Sequence, residues 1–204
     1  MVLPEERKRI ILIRHAESLN NVAKNETRKA WENIRALRCL PSLEQISLAG
    51  SLLTIPMNTD LSRDGELMVE SLRSRLIALN VIAEHGVELI IHSHLTRAAR
   101  TCAILFGDSG ITIEEHPMVF EKNILEHVGL KDMKNRIRIF VQWLLARPEQ
   151  SIAIVGHSAF FRELLHTDIN MQNCEVRECY LTPSGQIEDM RVIMDGGDSL
   201  LTGA

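Results

Sequence analysis

Apolar residues follow two rhythms along the chain. Four short, nearly continuous apolar runs, Arg9 to Ile13, Glu88 to His92, Ile111 to Glu115 and Ser151 to Val155, have the length of buried strands. Between them apolar positions recur every three or four residues, the helical period. Over 65–84 these are Met68, Val69, Leu72, Leu76 and Leu79. Over 132–146 they are Met133, Ile137, Phe140, Val141, Leu144 and Leu145, with Asp132 placed to cap the helix. Strand alternating with helix predicts an α/β fold, a three-layer sandwich with a mostly parallel central sheet and helices on both faces. The tail changes rhythm. Glu175 to Leu181 and Ile187 to Met194 flank the turn Pro183-Ser184-Gly185, which predicts an antiparallel C-terminal edge hairpin.

Residues 22–60 break the alternation and are expected to form a mostly helical insertion within a single domain spanning 1–204. On a helix at about 100° per residue, Lys24, Arg28, Arg35 and Arg38 fall in one arc beside the apolar arc Ala23, Ala30, Ile34 and Leu37. Such an arc is a solvated face, or a cationic wall near an anionic substrate.

Composition narrows the functional classes. Lys plus Arg is 23 against 27 for Asp plus Glu, giving a net charge of -4. The chain therefore lacks the basic footprint of a nucleic-acid binder, and 4% aromatic residues gives few platforms for base stacking. No apolar run approaches the roughly 20 residues of a membrane span, and the charged start is not followed by a signal-type apolar stretch. Cys39, Cys102, Cys174 and Cys179 show neither CxxC nor zinc-like spacing. A cytoplasmic protein with reduced thiols is expected, with no nucleic-acid or membrane partner.

Candidate chemistry gathers where strands end. The first strand runs into Arg14-His15-Ala16-Glu17-Ser18, the last parallel strand into Val155-Gly156-His157-Ser158, and another into Ser93-His94-Leu95-Thr96-Arg97. Ligands of open α/β sheets bind at the carboxyl ends of strands, so His15, His157, Arg14 and Arg97 are expected on one edge. Arginine forks neutralise and orient phosphoryl oxygens. A neutral imidazole can attack phosphorus covalently, and a second can stabilise the transition state. A carboxylic acid must protonate the leaving oxygen; Val119-Phe120-Glu121 and Leu125-Glu126-His127-Val128-Gly129 offer two, Glu121 and Glu126.

These segments resemble, in order, the motifs of the histidine phosphatase superfamily, also called phosphoglycerate mutase-like. Arg14-His15-Ala16-Glu17-Ser18 with Asn21 resembles Arg-His-Gly-Glu-Ser-x-x-Asn. Leu61-Ser62 with Gly65 is similar to Leu-Thr-x-x-Gly, and Ser93-His94-Leu95 with Arg97-Ala98 and Thr101 to Ser-Pro-Leu-x-Arg-Ala-x-Gln-Thr. Val155-Gly156-His157-Ser158 resembles Val-Ser-His-Gly, and Asn173-Cys174-Glu175-Val176 resembles Asn-Cys-x-Val. The resemblance implies that His15 is the nucleophile, that Arg14, Arg97, His157 and Asn21 form the phosphate pocket, and that Glu126 is the proton donor, preferred to Glu121 for its Leu-x-Glu and nearby glycine. It implies no metal and no cofactor. Departures stand at His94 for Pro, Arg100 for Gln, and Ser158-Ala159 for Gly-Gly.

Other sites find less support. His92 and His94 at i and i+2 would share a strand face and suit zinc, but no third-ligand motif accompanies them. No GxxxxGK[ST] or GxGxxG sequence is present for nucleoside triphosphates or dinucleotides. The expected function is a metal-independent phosphatase hydrolysing a phosphomonoester through a phosphohistidine. Its partner is a phosphorylated small molecule, with a phosphoprotein as the other substrate class. A phosphoglycerate mutase or related phosphotransferase, and a phosphate-ligand-binding protein with little catalysis, are the alternatives.

Overall fold

The computed structural model describes residues 7–35, 58–121 and 132–196. Strands β1 (Lys8–Arg14), β2 (Leu89–His92), β3 (Thr112–Glu115), β4 (Ser151–Gly156), β5 (Val176–Leu181) and β6 (Ile187–Met194) form one sheet in the order β3-β2-β4-β1-β5-β6. The first four of that order are mutually parallel, and β5 and β6 add antiparallel at one edge. The helices are α1 (Leu19–Arg35), α2 (Arg63–Ala78), α3 (Val81–Glu84), α4 (Thr96–Phe106), α5 (Met133–Ala146) and α6 (Ser158–Leu164).

Side chains alternate across β1 with the strand period of two. Ile11 and Ile13 pack with Val69 and Leu72 of α2 and with Ala98, Cys102 and Phe106 of α4. Ile10 and Leu12 pack on the other side with Phe140 and Leu144 of α5 and with Phe160 and Phe161 of α6. Both sheet faces are therefore covered, which is why β1 and β4 read as unbroken apolar runs. Each fully buried Ile, Leu or Phe contributes about 1.5–3 kcal/mol. The Asp132 carboxylate caps α5 by accepting from Lys134 N at 2.9 Å. No described helix is long and apolar enough to cross a membrane.

Two elements depart from expectation. The helix expected over 65–84 is split, because Asn80 adopts a left-handed φ of 49° between α2 and α3, a conformation that asparagine tolerates and a continuing helix does not. The strand at 111–115 is not buried: β3 forms the opposite edge of the sheet and is mostly exposed. Its Glu114 and Glu115 put charge on an edge that would otherwise invite further strands. Of the helical insertion expected over 22–60, α1 covers the part up to Arg35, and 36–57 lies outside the described residues.

The register prepares the site. Arg14 pairs with Gly156 across β1 and β4, and His92 with Val155 across β2 and β4. The residues that follow, His15, His157 and Ser93, therefore leave the sheet side by side at its carboxyl edge.

Candidate active site

His15 is held by backbone and side chain together. Its N–H donates to the Gly156 carbonyl at 3.0 Å, and its own carbonyl accepts from Asn173 Nδ2 at 2.8 Å. The ring is 2% exposed. Its Nδ1 lies 2.6 Å from the Ala16 carbonyl oxygen. A carbonyl only accepts, so Nδ1 carries the proton and Nε2 presents a lone pair. Arg97 Nε donates to that Nε2 at 3.2 Å. The His157 ring stands edge-on, 5.0 Å from the His15 ring between centroids.

His157 is fully buried at the N-terminus of α6. Burial pushes its pKa well below the ordinary histidine value, and the neighbouring His15, Arg97, Arg14 and His94 push it the same way. The ring is therefore neutral near pH 7. Its Nε2 is 2.9 Å from Ser93 Oγ, and its Nδ1 is buried without a hydrogen-bond partner.

Arg97 is 3% exposed on the first turn of α4 and reaches Glu121 Oε2 through Nη2. The Thr101 hydroxyl ties this helix to the nucleophile turn, donating to the Arg97 carbonyl at 2.7 Å and accepting from Ala16 N at 3.1 Å. Arg14 donates through Nη1 to the Met171 carbonyl at 2.6 Å, and burial lowers its pKa. Two guanidinium groups thus face a pair of imidazoles.

Glu121, one of the two candidate acids, reaches this cluster. Its Oε2 lies on Arg97 and 3.9 Å from His157 Nδ1. The segment that delivers it is pinned from behind. His116 continues the ladder by donating its N–H to the His92 carbonyl, and Val119 is fully buried. Arg136 stacks 3.8 Å from the Phe120 ring centroid while donating to the Met118 and Phe120 carbonyls. Glu126 lies outside the described residues.

Asn21 takes a capping geometry. Its Oδ1 accepts from Ser18 N at 3.2 Å and Ser18 Oγ at 2.8 Å, which leaves the Nδ2 amide as the group with hydrogens to offer an anion. Glu17 and Ser62 lock the turn to α2: Ser62 N donates to the Glu17 carbonyl at 3.0 Å and Ser62 Oγ to Glu17 Oε1 at 2.8 Å. Gly65 makes that approach possible, since a Cβ there would stand 2.0 Å from the Glu17 carbonyl oxygen. Gly65→Ala is expected to destabilise the fold by about 3 kcal/mol, read as a fall of roughly 6–12 °C in Tm by thermal unfolding. An unchanged Tm would show that the turn yields without cost.

Three residues quoted only as motif matches thus have physical work: Ser93, Thr101 and Asn173. The motif order was the signal for them, and their partners needed the fold. The His92 and His94 rings are engaged separately. His92 Nδ1 donates to the Ser93 carbonyl, while His94 lies beyond the end of β2 with its ring 5.9 Å from Phe120. Among the described residues no group of three His, Cys, Asp or Glu side chains is placed to hold a metal ion. In the basic arc of α1, Arg28 is exposed and 3.9 Å from Glu32, and the remaining side chains lie outside those described.

The cluster combines an imidazole lone pair, two guanidinium groups, a neutral buried imidazole and a carboxyl. Together they suit nucleophilic attack on a centre that carries anionic oxygens.

No protein-family model and no curated protein sequence matches the chain. Solved structures do. YhfR of Bacillus stearothermophilus is 17% identical with a TM-score of 0.60, covering 93% of this chain and 98% of that one. The mycobacterial glucosyl-3-phosphoglycerate phosphatase is 13% identical with a TM-score of 0.55, covering 93% and 99%. A phosphoserine phosphatase from Entamoeba histolytica, solved with 3-phosphoglyceric acid, is 14% identical with a TM-score of 0.51, covering 94% and 98%. At these identities the likeness establishes a shared fold across nearly the whole chain.

Proposed function

We propose that this chain, built on the histidine phosphatase fold of those neighbours, is a phosphatase that hydrolyses a phosphomonoester through a phosphohistidine at His15. The observation that carries the reading is the His15 ring. Its Nδ1 proton is committed to the Ala16 carbonyl, and its Nε2 lone pair sits at the guanidinium of Arg97. A phosphoryl group seated there would meet the lone pair and the charge it requires at one point.

In the first step His15 Nε2 forms a bond to phosphorus as the ester P–O bond breaks, and the leaving oxygen takes a proton from Glu121. In the second, Glu121 removes a proton from water, whose oxygen bonds to phosphorus as the Nε2–P bond breaks. Arg14, Arg97, His157 and the Asn21 amide neutralise the phosphoryl oxygens, so the positive charge comes from side chains and no metal is required. Glu121 is the described carboxyl that approaches His157; Glu126, the donor that the motif resemblance implies, lies outside the described residues and stays the alternative for this role.

Two of the neighbours, by their names, act on glucosyl-3-phosphoglycerate and phosphoserine, which supports a phosphorylated small molecule as substrate. Substrate choice belongs to 22–60 and 117–135, much of which lies outside the described residues. Cys102, Cys174 and Cys179 are buried free thiols, and burial pushes their pKa values up to about 12.

The test is phosphate release from a panel of phosphomonoesters in the presence of chelator, with samples quenched in alkali and assayed for acid-labile phosphate on the protein. Chelator-resistant turnover with labelled protein is expected. Dependence on a bisphosphorylated primer with little net release would instead indicate a phosphotransferase. Binding of phosphorylated ligands with neither turnover nor label would indicate a binding protein.

A further inference from the structure

His157 is neutral and buried, so its single ring proton must sit on one nitrogen, and the choice decides what the ring offers a phosphoryl oxygen. Ser93 is the group that touches it. Ser93 and His157 are both fully buried, and their approach is set by the parallel pairing of β2 with β4, where Ser93 N–H donates to the Val155 carbonyl at 3.1 Å.

A hydroxyl has one proton to give and two lone pairs to accept with. Leu95 N–H donates to Ser93 Oγ at 3.3 Å and occupies one lone pair. His157 Nε2 lies 2.9 Å from the same oxygen. If Nε2 carried the ring proton, it would fill the second lone pair, and the buried hydroxyl proton would have no acceptor among the described residues. The bare Nδ1 lone pair would also face the Glu121 carboxylate at 3.9 Å. If Nδ1 carries the proton, the hydroxyl donates to Nε2, and Leu95 N–H, Ser93 Oγ–H and His157 Nε2 are all satisfied. The remaining Nδ1–H is buried, has no partner, and stands beside Glu121 and the His15 ring.

We propose that Ser93 is a positioning residue that holds His157 as its Nδ1–H tautomer, so that the Nδ1 proton is presented to an oxygen of the phosphoryl group bound at His15. The inference rests on the phosphatase reading for its purpose, but the tautomer belongs to the resting protein and is measured without any substrate. Negative charge on the phosphoryl oxygens is thus met by a donor already in place, with no proton transfer needed at those oxygens.

The experiment is nitrogen-15 NMR of the histidine rings in the wild-type protein, with the His157 signals assigned through His157→Gln, followed by the same spectrum and steady-state kinetics on Ser93→Ala. Wild type is expected to show a protonated Nδ1 and a pyridine-like Nε2 at His157, and inorganic phosphate is expected to shift the Nδ1–H signal. Ser93→Ala is expected to lose the single tautomer and to lower kcat on the order of 100-fold, with KM changed less than about threefold. A wild-type Nε2–H tautomer overturns the proposal even if Ser93→Ala does not fold. A kcat loss in Ser93→Ala with the Nδ1–H tautomer intact overturns it as well, since the serine would then act only through packing. If the phosphatase reading fails, turnover is absent in wild type and variant alike, while the tautomer result still stands or falls on its own.

Discussion

His15→Ala is expected to abolish turnover, lowering kcat by a factor on the order of 10⁵ to 10⁶, and to remove acid-labile phosphate from the alkali-quenched protein. The size follows from the role. If Nε2 makes the covalent bond to phosphorus, its removal deletes the intermediate and not merely a stabilising contact. The fold should survive. The backbone bonds at this position, from His15 N–H to Gly156 and from Asn173 to the His15 carbonyl, do not involve the ring. The two lost ring bonds, to the Ala16 carbonyl and from Arg97 Nε, are worth about 1 kcal/mol each, so circular dichroism should be close to wild type. The prediction also separates two ways of losing activity. Removing a phosphate-binding group would slow formation of the phosphohistidine and still leave some to be trapped, whereas removing His15 leaves none. Undiminished turnover in a folded His15→Ala protein would end the phosphohistidine reading.

The parts of this structure that were legible in the sequence are those whose cause is local or periodic. β1 and β4 are covered on both faces, so their sequences are continuously apolar and their extents could be read closely. The cap on α5 was legible because Asp132 immediately precedes the first periodic residue. β3 was misread because an apolar core of only a few residues does not reveal which strand forms an edge; the half-buried Glu114 and exposed Glu115 decide it only once the strand order is known. The break at Asn80 was hidden because leucine and isoleucine keep the helical period on either side of it.

The site divides along the same line. His15, His157 and Arg97 follow strands, and the rule that ligands bind at strand carboxyl ends places all three together before any coordinate is known. Between Glu121 and Glu126 the motif resemblance preferred Glu126, which lies outside the described residues. What brings Glu121 to the site is the tertiary anchoring of its segment, with Val119 in the core and Arg136 clamped on Phe120, and neither contact has a sequence signature. The hydroxyl of Ser93 was invisible as a functional group for a related reason. Its meeting with His157 depends on the register of two strands separated by more than fifty residues in the chain.

Glu121→Gln is expected to divide the reaction by leaving group. With an alkyl phosphate the departing oxygen needs a proton, and loss of the acid should lower kcat by roughly 10²- to 10⁴-fold. With p-nitrophenyl phosphate the departing oxygen carries its charge unaided, so phosphorylation of His15 should proceed. Hydrolysis of the phosphohistidine still needs a base for water, and that step should stall. The signature is a burst of nitrophenol close to one equivalent per protein, followed by slow turnover and accumulation of acid-labile phosphate. An amide keeps the volume of the carboxyl and can still accept from Arg97 Nη2, so the Arg97 contact is largely retained while the acid–base function is lost. Glu126→Gln, assayed beside it, should retain both steps. The opposite pattern, with the burst in Glu126→Gln and ordinary kinetics in Glu121→Gln, would return the proton-transfer role to Glu126 and reduce Glu121 to an orienting partner of Arg97. If neither variant distinguishes the two leaving groups, proton transfer does not run through either carboxylate, and the two-step scheme loses its acid and base.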